Sequence, residues 1–441
     1  MSKNSKIKMI VAFFVLLMLF LIINKSITKR SNDKDIKMQT SLLFEKINKS
    51  SVAKIDKYII YGTHLNLEGT IQIPKISGIS VYSVHVIAKD LEGKDISMNC
   101  SYTYKDTILS FSTFNNLNKG LCLENLSQNH YYLLLKVIFS NSEERLFSLE
   151  NNSKYENTTY YTMSKKNKID LEFGKYEKSP FMKLGVTKIK DLPNDVYDIS
   201  IDASHGGKDS GATYKNYKES EIVLKYTKNI KQKLEKLGYK VFISRDGSES
   251  PDADLSDMYA ENGRINTIQE SHSKLLISLS LNDTRTKTGG IEIYAPTQCD
   301  LSFAKSLADN IVKTAKTSYS SAKLFNKEKG VYVRNFTEYD ILSYKGSAIL
   351  HKYEPYNITK ITPYQYMIRE VGGIATGAFV DGRNKSYGTN KYYNSNIGIE
   401  AYIIKLGYIR YEKDITNIVN NENLYCDAIV EAIKGYIKEE L

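Results

Sequence analysis

The pattern of apolar residues after about residue 191 constrains the fold of this chain more than any other feature. Short apolar runs typical of buried strands alternate there with longer stretches whose apolar residues recur every three or four positions, as in amphipathic helices. This alternation predicts an α/β domain over 196–441, a twisted mainly parallel sheet with helices on both faces. Functional groups are then expected on loops at strand ends. The predicted strands are 196–201, 241–244, 275–281 and 290–294, and the predicted helices are 219–237, 257–270, 301–317 and 424–437.

The preceding part of the chain, 51–175, has a different pattern. Short apolar runs are separated by turn sequences such as Leu91-Glu92-Gly93. This pattern predicts a β-sandwich of about seven strands. Because no titratable residues gather there in a catalytic spacing, we interpret this domain as a spacer or binding module. Polar linkers are predicted at 25–50 and 176–195.

An uninterrupted apolar run covers residues 9–23, with lysines on both sides of it. It lacks the small-residue cleavage site of a secretory signal peptide, so it predicts an uncleaved transmembrane signal anchor at 9–24 after a cytoplasmic tail at 1–8. Long domains that follow such a helix are translocated largely regardless of flanking charge. We therefore expect a single-pass protein of the cell membrane, with its main body on the extracellular, cell-wall side.

The net charge of +11 arises from 61 basic and 50 acidic residues that are spread along the chain. Without a basic arm or stripe, this charge does not indicate a nucleic-acid partner and favours an anionic cell wall or lipid surface. The four cysteines have no C-x-x-C spacing, so neither a zinc ribbon nor a redox pair is supported. Cys100 and Cys122 are either free thiols or a disulfide.

The sequence IDASHGGKDSGA at 201–212 places an imidazole beside glycines at the end of the first predicted strand. Glu219 then begins a helix, Arg245 ends the second strand, Arg264 lies in the next helix, and Ser280-Leu281-Asn282 ends the third strand. Near the C-terminus, 398–409 reads GIEAYIIKLGYI. In order and spacing these segments resemble the zinc-dependent N-acetylmuramoyl-L-alanine amidase family, whose corresponding motifs read DPGHGG, SIHAN and LVELGFISN.

The resemblance implies a zinc cofactor, with His205 and Glu219 as two of its protein ligands. A catalytic zinc takes three protein ligands and leaves a fourth position for the water that it acidifies. Each residue also has a simpler interpretation. His205 alone is a surface histidine in a glycine-rich turn, and acidic residues such as Glu219 are common in the first turn of any helix.

Two positions depart from the family motifs. Ser280 stands where the family has its third zinc ligand, and a neutral hydroxyl is a poor ligand for zinc. Lys405 stands where the family has its catalytic glutamate, and an ammonium group accepts no proton and repels a nearby cation. Asp283, at the end of the third strand, is the neighbouring residue that offers an oxygen ligand as a substitute. We interpret Lys405 as the partner of a salt bridge, with Glu219 or Glu370.

The segment 364–396 is rich in Gly, Asn, Tyr and Arg, which suits a groove for a polar sugar-peptide substrate. Arg369, Arg383 and Asn396 are the predicted substrate-binding residues, and the two arginines are also typical of ordinary surface ion pairs. The sequence thus predicts a membrane-anchored exterior protein that engages peptidoglycan with lost or weak hydrolysis. The alternatives are an active zinc amidase, and an exterior scaffold for other cell-wall proteins.

Overall fold

A computed structural model of the chain describes residues 34–152, 156–207, 209–247, 264–296, 298–323, 325–333 and 398–440, together with 338 and 342. These residues form a β-rich region followed by an α/β domain. The predicted membrane anchor at 9–24 lies outside the described residues. Within the described ranges, no helix combines the length and the apolar character needed to cross a membrane.

The β-rich region contains a helix, α1, over 34–45, and twelve described strands instead of the predicted seven. The short strands were missed because several of them are largely exposed and leave no apolar signal. The strands form one hydrogen-bonded sheet, in which the first strand pairs in parallel with the ninth. They are β1 (Ala53–Tyr61), β2 (His64–Gln72), β3 (Val81–Asp90), β4 (Asp95–Asn99), β5 (Ser101–Lys105), β6 (Ile108–Ser112), β7 (Leu121–Cys122), β8 (His130–Phe139), β9 (Glu144–Asn151), β10 (Thr158–Tyr161), β11 (Asn167–Tyr176) and β12 (Ser179–Lys188).

Both predicted linkers contribute to this region. In β8, alternate residues point to opposite faces, so Leu133 and Leu135 join the main core while Leu134 faces α1. Phe44 lies in α1, inside the predicted 25–50 linker, and is buried against that second face of the sheet. Strand β12 lies inside the predicted 176–195 linker, where Met182 and its alternate neighbours are buried. The described part of the first linker, 34–50, and residues 179–188 of the second are therefore parts of the β-rich fold.

The α/β domain has a seven-stranded, mainly parallel sheet, as the sequence predicts. Its strands are β13 (Ile199–Ala203), β16 (Val241–Ile243), β17 (Leu275–Asn282), β18 (Glu292–Tyr294), β19 (Asn326–Glu328), β20 (Val331–Tyr332) and β21 (Glu400–Tyr408), with a separate hairpin of β14 (Thr213–Tyr214) and β15 (Tyr217–Lys218). In space the order is β16, β13, β17, β21, β18, β20, β19, and the first four strands are parallel. The helices are α2 (Glu219–Lys236), α3 (Arg264–Glu270), α4 (Ser302–Ala315), α5 (Glu412–Asn420) and α6 (Glu422–Glu440).

Strand β17 shows how the sequence divides the two faces of this sheet. Its sequence alternates, so Leu275, Ile277 and Leu279 point into the core that the sheet shares with α2, α4, α5 and α6. Ser278 and Ser280 point to the opposite face. The polar face of β17 is therefore the face on which the candidate site is built.

The two regions pack against each other. The Leu117 amide donates to the Gln298 carbonyl over 2.8 Å, and the Lys165 ammonium lies 2.8 Å from the Asp198 carboxylate. The Lys274 ammonium lies 4.0 Å from the centre of the Tyr160 ring. Burial at this interface lowers the pKa of Lys274 to about 7.

All four cysteines are free, so the alternative of a Cys100–Cys122 disulfide is wrong.

Candidate functional site

His205 lies in the turn that leaves the end of β13. Its φ of 63° is in the left-handed region, as are those of Gly206 and Gly207 at 130° and 58°. Three consecutive residues with positive φ reverse the direction of the chain within this turn, and glycine adopts such dihedrals at low energetic cost. The turn closes through two hydrogen bonds between Gly206 and Asp209, of 2.7 and 3.0 Å. The glycines therefore serve to present the imidazole at the strand end.

The buried guanidinium of Arg245, just after β16, fixes this turn to the rest of the domain. It donates to the carbonyls of Ala203 and Ser204 at the turn, over 3.1 and 3.3 Å, and to the carbonyl of Ser220 in α2 over 2.6 Å. Since one rigid group binds both segments, the end of β13 and the start of α2 keep a fixed spacing. In the sequence Arg245 is only one member of the motif order. In the structure it holds the turn after β13 and the start of α2 in place.

The His205 ring lies between two carboxylates. Its Nδ1 is 2.7 Å from Asp209 Oδ2, and its Nε2 is 3.3 Å from Glu219 Oε2. Burial favours the neutral ring, but the two carboxylates outweigh burial and raise the pKa of His205 to about 9. The imidazole is thus protonated at neutral pH. The contact between Asp209 and His205 was not predicted. Its only signal in the sequence is an acidic residue four positions after the histidine.

Glu219 opens α2 and is buried, with 3% of its side chain exposed. Besides His205, its carboxylate accepts hydrogen bonds from the Ala212 and Leu281 amides over 2.9 and 2.6 Å, and from the Ser280 hydroxyl over 2.9 Å. Burial would raise the pKa of Glu219, but the hydrogen bond from His205 and the charge of Lys405 outweigh it and lower the pKa to about 2. The carboxylate is therefore ionised and fully engaged by donors.

Ser280 and Lys405 are register partners on the adjacent parallel strands β17 and β21. The Lys405 ammonium donates to the Ser280 hydroxyl over 2.5 Å and to the Leu281 carbonyl over 3.2 Å. The Ser280 hydroxyl in turn donates to Glu219, so one hydroxyl links the ammonium group to the carboxylate. Within the described ranges, no salt bridge joins Lys405 to a carboxylate. The predicted direct salt bridge to Glu219 is thus replaced by this relay, and the alternative partner, Glu370, lies outside the described residues.

The residues that the structure brings together do not fit a zinc ion. The Nδ1 of His205 faces Asp209 and its Nε2 lies 3.3 Å from Glu219, as in histidine ligands whose second nitrogen is held by a carboxylate, so the misfit does not come from this pair. The third position offers a hydroxyl that is bonded to an ammonium group. Across the described ranges, no set of three His, Cys, Asp or Glu residues is grouped for metal binding. A cationic lysine thus lies beside His205, Glu219 and Ser280, the three positions at which the motif resemblance implies metal ligands.

The remaining predicted residues lie elsewhere. The carboxylate of Asp283 is paired with the guanidinium of Arg410, over 2.6 and 3.3 Å, which leaves it committed to a surface ion pair. Arg369, Arg383 and Asn396 lie outside the described residues, so their proposed contacts with substrate stay predictions.

The sheet and the histidine–glutamate pair at its strand ends define an amidase-like α/β domain. Residues 199–435, more than half of the chain, match the family model described as N-acetylmuramoyl-L-alanine amidase, and the chain belongs to that family. It therefore carries a domain of the cell-wall amidase type, whose substrate class is peptidoglycan.

Several solved structures are similar to part of the chain. AmiC2, an N-acetylmuramoyl-L-alanine amidase of Nostoc punctiforme, is 16% identical with a TM-score of 0.35, over 56% of this chain and 98% of its own. An amidase from Clostridium difficile 630 is 18% identical with a TM-score of 0.35 and the same coverage. Ami1 from Mycobacterium smegmatis is 12% identical with a TM-score of 0.36, over 56% and 100%. No curated protein matches the chain.

Proposed function

We propose that this protein is a membrane-anchored, exterior cell-wall protein that engages peptidoglycan through its amidase-family domain and hydrolyses it feebly or not at all. The observation that carries the proposal is the hydrogen bond between Lys405 and Ser280. It joins the two departures from the family motif, so a positive side chain and a neutral hydroxyl stand where hydrolysis would require a metal ligand and a proton acceptor.

The loss of function follows from the charges. An ammonium group repels a divalent cation, and at neutral pH it has no lone pair with which to accept a proton from water. Removal of a general acid–base group alone costs on the order of 10²- to 10⁴-fold in rate. The loss of a ligand adds to that cost, because a zinc ion bound by two protein groups is held weakly.

In this proposal the β-rich region is a sandwich-type spacer between the anchor at 9–24 and the wall. Arg369, Arg383 and Asn396 contribute polar contacts to the sugar-peptide chain, and other cell-wall proteins are further partners. External protease added to intact cells tests the orientation. Degradation of the α/β domain is expected, and its protection until the cells are lysed would contradict an exterior location.

The central experiment measures binding and cleavage together. The purified full-length protein is mixed with purified peptidoglycan and zinc, and both sedimentation with the wall and release of stem peptides are followed. The double variant Ser280→His with Lys405→Glu is the comparison, and the exposed Lys434→Glu in α6 is the matched charge control.

We expect wild type and Lys434→Glu to sediment with the wall and to release few or no peptides. Robust release by wild type would contradict the proposal and identify an active zinc amidase. If wild type does not sediment with the wall, the proposed engagement of peptidoglycan is wrong, and an exterior scaffold is favoured.

A further inference from the structure

Lys405 has capacity for one more ligand. A lysine ammonium carries three hydrogens, and two of them are directed to the Ser280 hydroxyl and the Leu281 carbonyl. Both acceptors are neutral, and the side chain is only partly buried. Since charge-assisted hydrogen bonds are about twice as strong as neutral ones, an ammonium whose two acceptors among the described residues are neutral is well suited to an anion.

The two neighbouring carboxylates in the described part of the chain, those of Glu219 and Glu292, do not meet this need. Glu219 is already bonded to two amides, the Ser280 hydroxyl and His205. On the other side of β21, Glu292 is the register partner of Lys405, but its carboxylate accepts hydrogen bonds from three hydroxyls. Those donors are Tyr294 at 2.9 Å, Ser320 at 2.7 Å and Tyr408 at 2.5 Å.

We infer that Lys405 makes this site a receptor for a carboxylate, namely the free lactyl carboxylate of muramic acid in glycan strands that have lost their peptides. The inference rests on the proposed function, engagement of peptidoglycan by this domain. The bond named in the family description joins the muramoyl carboxyl carbon to the nitrogen of L-alanine. Its hydrolysis adds water and leaves a carboxylate on the sugar and an amine on the peptide.

The charges of the amide and of the two hydrolysis products determine which of them the site prefers. Before hydrolysis the group at the centre of the site is a neutral amide, and afterwards the sugar side is an anion while the peptide side is a cation. A lysine at the centre attracts the first product and repels the second. The site would then recognise wall that other amidases have already processed. A peptide C-terminal carboxylate offers the same chemistry, so the test must separate the two sources.

Titration calorimetry of the full-length protein with three soluble probes separates them. The probes are N-acetylmuramic acid, its neutral methylamide, and an N-acetylated stem peptide with a free C-terminal carboxylate. We expect the acid to bind at least about tenfold more tightly than the methylamide, the size of one charge-assisted hydrogen bond. Equal affinity for the acid and the methylamide would overturn the inference, and tighter binding of the peptide would overturn its assignment to muramic acid.

Variants connect the preference to one side chain. Lys405→Met, which keeps the length of the aliphatic chain, should abolish the preference for the acid, Lys405→Arg should retain it, and Lys434→Met on α6 should leave it unchanged. If Lys405→Met does not fold, as judged by its thermal unfolding, the comparison of probes on wild type and Lys405→Arg still decides.

Sedimentation with intact wall and with peptide-free glycan separates this inference from the proposed function. Equal binding to both leaves the proposed function standing and overturns the carboxylate preference. Binding of the soluble acid without sedimentation on either wall overturns the proposed function and the assignment to glycan strands, and leaves only a site for a small carboxylate.

Discussion

The ammonium group of Lys405 lies 2.5 Å from the hydroxyl of Ser280, its register partner on the neighbouring strand. The same hydroxyl donates to Glu219 over 2.9 Å, so one chain of hydrogen bonds links a cation to a buried carboxylate. The two residues that are predicted to depart from the family motifs are therefore a single interacting unit. A change at either position alters the environment of the other, and the consequences can be measured.

The double variant Ser280→His with Lys405→Glu should gain zinc. It replaces a hydroxyl by an imidazole beside His205 and Glu219 and removes the competing positive charge. We expect close to one zinc per chain by elemental analysis after dialysis, against far less in wild type. Adding His205→Gln to the double variant should remove the metal again. Zinc content at the wild-type level would contradict the alignment of both positions with the family motif.

Glu219→Gln should destabilise the fold by about 2–4 kcal/mol. The amide group of glutamine places a donor against the Leu281 or Ala212 amide, and it removes the negative charge that His205 faces. The exposed Glu221→Gln, in the same turn of α2, is the matched control and should change stability by less than about 0.5 kcal/mol. Urea unfolding of both variants gives the comparison, and an equal effect would show that the carboxylate network does not stabilise the domain.

His205 should make stability depend on pH between about 6.5 and 9. Its pKa is raised from 6.5 to about 9 in the folded chain, so folding binds a proton in this window. The contribution, on the order of 1 kcal/mol after solvent screening, is complete below pH 6.5 and lost as the pH rises through 9.

Lys274 acts in the opposite direction, because burial lowers its pKa to about 7. The difference in unfolding free energy between wild type and His205→Gln at each pH therefore isolates the histidine. A difference that is constant from pH 6 to pH 9.5 would refute the raised pKa.

Gly211→Ala should distort the site as well as the backbone. Gly211 has a φ of 64°, and an added Cβ would lie 2.6 Å from His205 Cδ2 and 2.8 Å from Glu219 Oε2. Gly238, with a φ of 91° and no heavy atom within 4 Å of such a Cβ, is the control for backbone strain alone. We expect Gly238→Ala to cost about 1 kcal/mol and Gly211→Ala clearly more. NMR titration should also show a changed pKa of His205 in Gly211→Ala only.

Several predictions from the sequence depended on local patterns and are confirmed at the level of the fold. The apolar run at 275–281 predicted the buried strand β17, and the apolar spacing after Glu219 predicted the helix α2. The segment predicted as a linker at 176–195 instead contains β12, in which the buried Met182 alternates with half-buried residues and pairs with distant strands. The twelve strands of the β-rich region were undercounted, since short exposed strands are stabilised by pairing with distant neighbours, which local composition does not reveal.

By itself the sequence determined the family, the mainly parallel α/β domain and the identities of His205, Glu219, Ser280 and Lys405, because motif order and periodicity are local properties of a chain. Only the tertiary structure decided what these residues do to one another. The register of β17 against β21 brings Lys405 to Ser280, and the turn after β13 brings Asp209 to His205. Those pairings depend on contacts between residues far apart in the sequence or on unusual backbone dihedrals. They set the charges of the site, and with them its chemistry.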